Sequence, residues 1–358
     1  MGPGGVFLGR RSDTTLVAVV RAEDHFDTWR RAADGTWTAT APSPPLLARH
    51  GIASAWSHAR CVFVGGQVDD KPVNTGLAYD ADTDTWQALP PLPEPVADAT
   101  LTALDDGTLV LTGGRAPQPG PDDPPRVLAT AWRLPRAAAA WSALPPMPTP
   151  RFGHVGVALV DGTVLIAAGD DGRAEERFDN DEPYGVAAAL RLDLKANTWK
   201  KAGTLPRPSV NPSAFCLPDG RVLIVGGEVE PIGVSSTSPA LFEPARNAFV
   251  ALPETPLGGH GAMTLLWDGR VLLTGGFVLR TDGTIPFSVD TSFLFDPTTR
   301  TFSPGPTLVP GRMGHAAALI SGEDLLLIGG SSQPYPEDGK DPGDVEPVYP
   351  PPSVLHLP

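Results

Sequence analysis

Apolar residues along the 358-residue chain come in short runs, and six of these runs end alike. They read Val62-Phe-Val-Gly-Gly66, Leu109-Val-Leu-Thr-Gly-Gly114, Val164-Leu-Ile-Ala-Ala-Gly169, Val222-Leu-Ile-Val-Gly-Gly227, Val271-Leu-Leu-Thr-Gly-Gly276 and Leu325-Leu-Leu-Ile-Gly-Gly330. Their final glycines, from Gly66 to Gly330, recur at a nearly even spacing. An alternating or small-residue segment precedes each run, as in His154-Val-Gly-Val-Ala-Leu-Val160. In four repeats the two are separated by Asp-Gly, at Asp106-Gly107, Asp161-Gly162, Asp219-Gly220 and Asp268-Gly269. That dipeptide marks a β-hairpin, and a two-residue turn with φ > 0 at both positions is the expected form. An aromatic follows each of the first five runs (Trp86, Trp141, Trp199, Phe249, Phe302), and then a proline-rich connector such as Ala88-Leu-Pro-Pro-Leu-Pro93. Trp37 belongs to the same series, with Leu16-Val-Ala-Val-Val20 in place of a glycine-terminated run. No segment keeps a 3.6-residue apolar period. Four short strands per repeat are therefore expected, the second buried on both faces.

One twisted four-stranded sheet cannot hide two apolar faces alone, so repeats of this kind must pack against one another. Glycine pairs, late aromatics and a period of about 50 residues together resemble the kelch-repeat family, over essentially the whole chain. The resemblance implies an all-β fold, a kelch-type β-propeller of four-stranded antiparallel blades like the central domain of a galactose-oxidising copper enzyme. Seven blades are expected, with six as the alternative count because the first and last repeats are irregular. A single domain over 1–358 then divides into blades near 1–42, 43–93, 94–149, 150–207, 208–256, 257–309 and 310–358. Only Val354-Leu-His-Leu357 follows the last glycine pair as a strand-like run, so the last repeat lacks a fourth strand. Gly5–Leu8 either supplies it or opens blade 1.

Composition narrows the function classes. Gly 39 plus Pro 42 is about 23% of the chain, close to the range of disordered sequences, but 41% hydrophobic residues are enough for a core. The formal net charge of −14 disfavours phosphate backbones and anionic lipid, so neither nucleic acid nor membrane is an expected partner. No apolar run approaches the ~18 residues of a membrane-spanning helix, and no signal-peptide pattern is seen. A cytoplasmic location is the expectation, with secretion the alternative if an export signal has been removed. The richness in Ala, Pro, Gly and Arg hints at a GC-rich bacterial genome. Cys61 and Cys216 sit in strand-like apolar runs with no metal-ligand spacing, so both are expected to be buried hydrophobes, with no disulfide, metal or cofactor implied.

In an up-and-down blade, first-strand starts and the loops after the glycine pairs share one rim, and the Asp-Gly turns lie on the other. First-strand starts carry His50, Asp98, His154, Asn211, His260 and His315, all at the same distance ahead of the marker pair to within one position. Arg151 and Arg312 precede two of them in Arg-x-Gly-His, which resembles the Arg-x-x-His signature of the kelch family. In that family such positions ring the channel mouth and often contact the partner; packing between blades is the competing reading. The loops after the glycine pairs (115–127, 170–186, 228–238, 277–290, 331–352) are long and unequal, as function-carrying loops are. Arg115, Asp170 and Glu228 open three of them. Two are acidic, with Asp170, Asp171, Glu175, Glu176, Asp179, Asp181 and Glu182 in one and Glu337, Asp338, Asp341, Asp344 and Glu346 in another. Such loops favour a basic or cationic partner, or are a solvated face.

Catalytic signatures are absent: the chain has no Gly-x-Ser-x-Gly, Walker loop or His-Glu-x-x-His. The family's copper oxidase needs a Tyr–Cys cross-link and a Tyr-His pair, and none of Tyr79, Tyr184, Tyr335 and Tyr349 adjoins a histidine. Its iron-dependent plant relatives use Glu-x-x-x-Asp-x-x-x-His, whereas Glu175-x-x-x-Asp179 is followed by Pro183. The expected function is a module binding a protein or glycan at the mouth. The alternative is a propeller enzyme with epimerase-like acid–base chemistry on a sugar or small metabolite at the same mouth.

Overall fold

The computed structural model describes residues 5–22, 25–44, 50–118, 120, 125–173, 185–229, 234–254, 261–278, 287–332 and 348–357. Among them there is no helix, and the strands form seven larger sheets in chain order, with three two-stranded ribbons besides. Six have four strands and the seventh has three, from Met313–Leu319, Asp324–Ser331 and Ser353–His356. No fourth strand joins that sheet among the described residues, as the sequence of the last repeat leads one to expect. Val6–Arg10 is hydrogen-bonded into the first sheet beside Leu16–Arg21, so it opens blade 1. The chain divides into two compact units. One is Phe7–Glu176 with Ala188–Ala202, which carries blades 1 to 4 apart from a few strand-end residues; the other is Met1–Val6, Arg177–Ala187 and Gly203–Pro358, which carries blades 5 to 7.

Burial explains the unbroken hydrophobicity of the second strands. Leu109–Thr112, Val164–Ala167, Val222–Val225 and Val271–Thr274 are buried at every residue. Alternate side chains serve opposite neighbours. Leu109 and Leu111 pack with Val62, Val64 and Ala78 of blade 2, while Val110 packs with Val164, Ile166 and Leu192 of blade 4. In the other unit Leu273 joins Leu223 and Leu241, and Leu272 joins Leu325 and Leu327. Each such side chain contributes roughly 1.5–3 kcal/mol by leaving water, so the sheets hold one another. Cys61 is fully buried, which pushes its thiol well above the usual range; Cys216 is only half-buried, against expectation.

The late aromatics do more than fill the gaps between blades. The indole N–H of Trp86 donates to Ala41 O at 3.0 Å, that of Trp141 to Pro90 O at 3.0 Å, and that of Trp199 to Pro145 O at 2.7 Å. Each bond ties a fourth strand to the connector of the preceding blade. Phe249 and Phe302 have no such donor and pack against Phe242 and Phe295 of their own sheets, with centroids 5.0 and 4.9 Å apart.

The Asp-Gly hairpins are real, but their turns are not the expected two-residue form. In all four only the glycine has positive φ (Gly107 81°, Gly162 80°, Gly220 85°, Gly269 86°). The same pair of bonds recurs: Gly107 N donates to Leu104 O and Leu104 N to Thr108 O, both at 2.9 Å. This is a three-residue loop, a type I turn followed by a left-handed glycine. The aspartate is there for its side chain. Asp106 Oδ1 accepts from Thr108 N at 2.8 Å, and Asp161, Asp219 and Asp268 repeat that bond to the residue two ahead.

Candidate functional site

The rim expected to carry function is where first strands begin and second strands end. Single bridges prolong the ladders there: His50 with Gln67, Ala97 with Arg115, Phe152 with Asp170 and Val210 with Glu228. Three loops continue as small ribbons, Gln67–Val68 with Lys71–Pro72, Glu228–Val229 with Val234–Ser235, and Phe277–Val278 with Phe287–Ser288. His260 and the acidic residues Glu175, Glu176, Asp179, Asp181, Glu182, Glu337, Asp338, Asp341, Asp344 and Glu346 lie outside the described residues.

Strand register separates the first-strand candidates, which the sequence treats as equivalent, into three positions. His50 is a bridge residue like Phe152 and is exposed. Asp98 (φ 54°) and Asn211 (φ 54°) stand where other blades have Gly51, Gly153 and Gly314, a left-handed site that Asp and Asn tolerate. His154 and His315 come one residue later and point the other way, into the joint between blades.

Those two histidines build twin joints, one in each unit. His154 is 5% exposed, with Nε2 2.9 Å from Thr112 Oγ1 of blade 3; His315 is 7% exposed, with Nε2 2.9 Å from Thr274 Oγ1 of blade 6. The Thr274 hydroxyl has Ala262 O as acceptor at 3.5 Å. We therefore assign the His315 ring proton to Nε2, donating to the Thr274 oxygen. Burial first, and then Arg151 or Arg312 nearby, pushes each imidazole down to about 3, so both are neutral at pH 7. Arg151 is 0% and Arg312 1% exposed. Arg151 Nη1 donates to Ala168 O and Ala188 O, both at 3.2 Å, and Arg312 Nη2 donates to Ser353 Oγ at 3.0 Å. Burial lowers Arg151 to about 10, still protonated at neutral pH. Their backbone carbonyls receive Gly114 N and Gly276 N, both at 2.9 Å. Arg-x-Gly-His of one blade thus locks onto Thr-Gly-Gly of the blade before. Thr112 and Thr274 were not among the sequence candidates, although Thr-Gly-Gly recurs ahead of each Arg-x-Gly-His.

What faces outward at the rim is a different set. Arg115 donates through Nε to Asp98 Oδ2 at 2.8 Å and also through Nη2, and its guanidinium lies 4.7 Å over the Phe152 ring. The two charged side chains keep 33% and 24% of their surface in water. Phe152, which no sequence pattern singles out, is the platform that fixes the arginine. Asp170 is buried and accepts Gly172 N at 2.8 Å, shaping its own loop; Glu228 is half-buried and Asn211 exposed. Among the described residues no three His, Cys, Asp or Glu side chains cluster as a metal site, and no helix is long and apolar enough to cross a membrane.

Comparison with known proteins places this geometry. No protein-family model matches the chain. It is 27% identical over 255 residues to Kelch-like protein terF of Aspergillus terreus, covering 68% of this chain and 53% of that protein. It is 28% identical over 161 residues to N-acetylneuraminate epimerase 1 of Escherichia coli O6:H1, covering 42% of each. The chain spans about half or less of the length of these curated relatives. Among solved structures, that of YjhT superposes with a TM-score of 0.63 at 16% identity, over 86% of this chain and 98% of that one. Seven consecutive antiparallel sheets, glycine-pair joints and these likenesses together show a kelch-type β-propeller fold, in a chain similar in sequence to kelch-repeat proteins.

Proposed function

We propose that the chain is a binding module that takes a protein partner at the rim of the glycine-pair loops, through a basic segment of that partner. The observation that supports this most is the Asp98–Arg115–Phe152 group. It is a fixed, half-exposed array of charge, donor and aromatic face, with Glu228 and Asn211 at corresponding rim positions in the other unit. Aromatic and arginine anchors of this kind carry binding energy out of proportion to their area. The kelch-named relatives and the acidic composition of the rim loops support the same reading. The enzyme reading is kept by the likeness to the E. coli protein named as an epimerase. Against it, His154 and His315 are buried and neutral, so neither is placed to exchange protons with a bound sugar.

Cross-linked capture from cell extract separates the readings. The wild-type chain and a Val160→Ser variant, changed on the opposite side at an Asp-Gly turn, should capture the same protein, and Arg115→Ala should lose it. Capture unaffected by Arg115→Ala, or lost with Val160→Ser, would move the site off this rim. Epimerisation of N-acetylneuraminate, followed by NMR and lost in Arg115→Ala, would establish the enzyme reading instead.

A further inference from the structure

On the side of the Asp-Gly turns, a cavity of about 150 Å³ opens between blades 2 and 3 of one unit. Its lining includes Leu89, Leu109 and Leu134, with Gln87 and two arginines, Arg60 and Arg136, beside them. Arg60 opens the second strand of blade 2, half-buried, opposite Asp80. Arg136 lies in the turn after the third strand of blade 3, its aliphatic stem packed over Gly107. Other arginines near these turns are neutralised: Arg191 pairs with Asp161, Arg221 with Asp219 and Arg270 with Asp268. Arg60 and Arg136 have no side-chain hydrogen bond or ion pair among the described residues. Asp80, the acid whose charge acts on Arg60, uses Oδ1 on the backbone N–H groups of Asp82 and Thr83. Burial and then the charge of Arg136 lower the proton affinity of Arg60, as two neighbouring guanidiniums should, and Asp80 opposes that shift only in part.

Two guanidiniums without a salt-bridge partner above a leucine floor, in a chain of net charge −14, are an anion site with an apolar base. We propose that this cavity binds a carboxylate carried on a small apolar body, with the carboxylate between Arg60 and Arg136 and the body against Leu89, Leu109 and Leu134. The volume matches a benzene-sized group, about what an engineered 150 Å³ apolar cavity accepts. A bare phosphate would leave the leucines unfilled and lose hydration against them. The site is separate from the Asp98–Arg115 rim and does not depend on what that rim binds.

Benzoate is the probe, titrated into the full chain and followed by calorimetry and NMR at low salt, with benzamide and inorganic phosphate as comparisons. Saturable millimolar or tighter binding of benzoate is expected, with benzamide and phosphate at least about tenfold weaker. Arg136→Gln and Arg60→Gln should each weaken benzoate by about tenfold or more, charge-assisted hydrogen bonds being worth ~1.5–3 kcal/mol. Arg136 is exposed, so its variant should melt like the wild type and serves as the control for folding. No saturable benzoate binding, or binding unchanged in a well-folded Arg136→Gln, would overturn the proposal. Phosphate binding as tightly as benzoate would overturn the organic part of it.

Discussion

Gly113→Ala and Gly275→Ala should each destabilise the protein by about 3–5 kcal/mol, a large share of the roughly 5–15 kcal/mol that holds a typical domain. At φ 60° and 59° both glycines are left-handed, which costs a residue with Cβ roughly 1–2 kcal/mol. More seriously, the added Cβ would lie 2.2 Å from Arg151 O in one case and from Arg312 O in the other, with the His154 or His315 ring at 2.8 or 2.9 Å. Those oxygens are the acceptors of Gly114 N and Gly276 N, so the whole joint must part, and at least one buried hydrogen bond goes with it. Ala168 supplies an internal control, since it already holds φ 65° with a side chain. Ala168→Gly relieves strain and should shift stability by no more than about 1 kcal/mol. Denaturant midpoints of the three variants measure this; an alanine at 113 or 275 that costs as little as the change at 168 would mean the blades do not meet as described.

The second large effect is on pH. An unfolded histidine takes up a proton near 6.5, while His154 and His315 resist it down to about 3. From pH 6.5 down towards 3 the unfolded chain therefore binds more protons than the folded one, and stability falls as pH falls. Between pH 7 and 5 the two together should remove about 4 kcal/mol. Carboxylates such as Asp193 and Asp296, held below their usual range by backbone N–H donors, add their own loss only at lower pH. Unfolding free energies measured at pH 7, 6 and 5 give the slope. His154→Asn should remove about half of it, and His154→Asn with His315→Asn nearly all. A slope unaltered in the double variant would assign the loss to other groups.

The blades were legible in the sequence because strand alternation and the glycine pairs report directly on packing: a second strand such as Leu109–Thr112 is buried along its length. The rim was only partly legible, for a reason of counting. The candidates share their distance from the glycine pair only to within one position, yet one residue in a strand turns a side chain to the opposite face. Asp98 and Asn211, a position further from the pair, stay at the rim; His154 and His315, a position nearer, go into the joints. His50 is displaced further because its hairpin, closing at Ser57 and Arg60, is shorter than the Asp-Gly hairpins. The turn type was misjudged because Asp-Gly fits two hairpin geometries, and only the side-chain bond of Asp106 to Thr108 N selects between them. Phe152 gave no signal, since its stacking on Arg115 joins residues of two different blades.

The central claim is that the outward Asp98–Arg115 pair recognises a partner while the buried Arg-x-Gly-His groups hold the blades together. Replacing the pair by Asp98→Asn and Arg115→Gln keeps shape and suits the left-handed φ of residue 98. The dissociation constant of the captured partner for this double variant, measured beside its melting temperature, is the most direct test. The account predicts a melting temperature within a few degrees of wild type and an affinity at least about tenfold lower. Unchanged affinity in a variant that melts normally would contradict it.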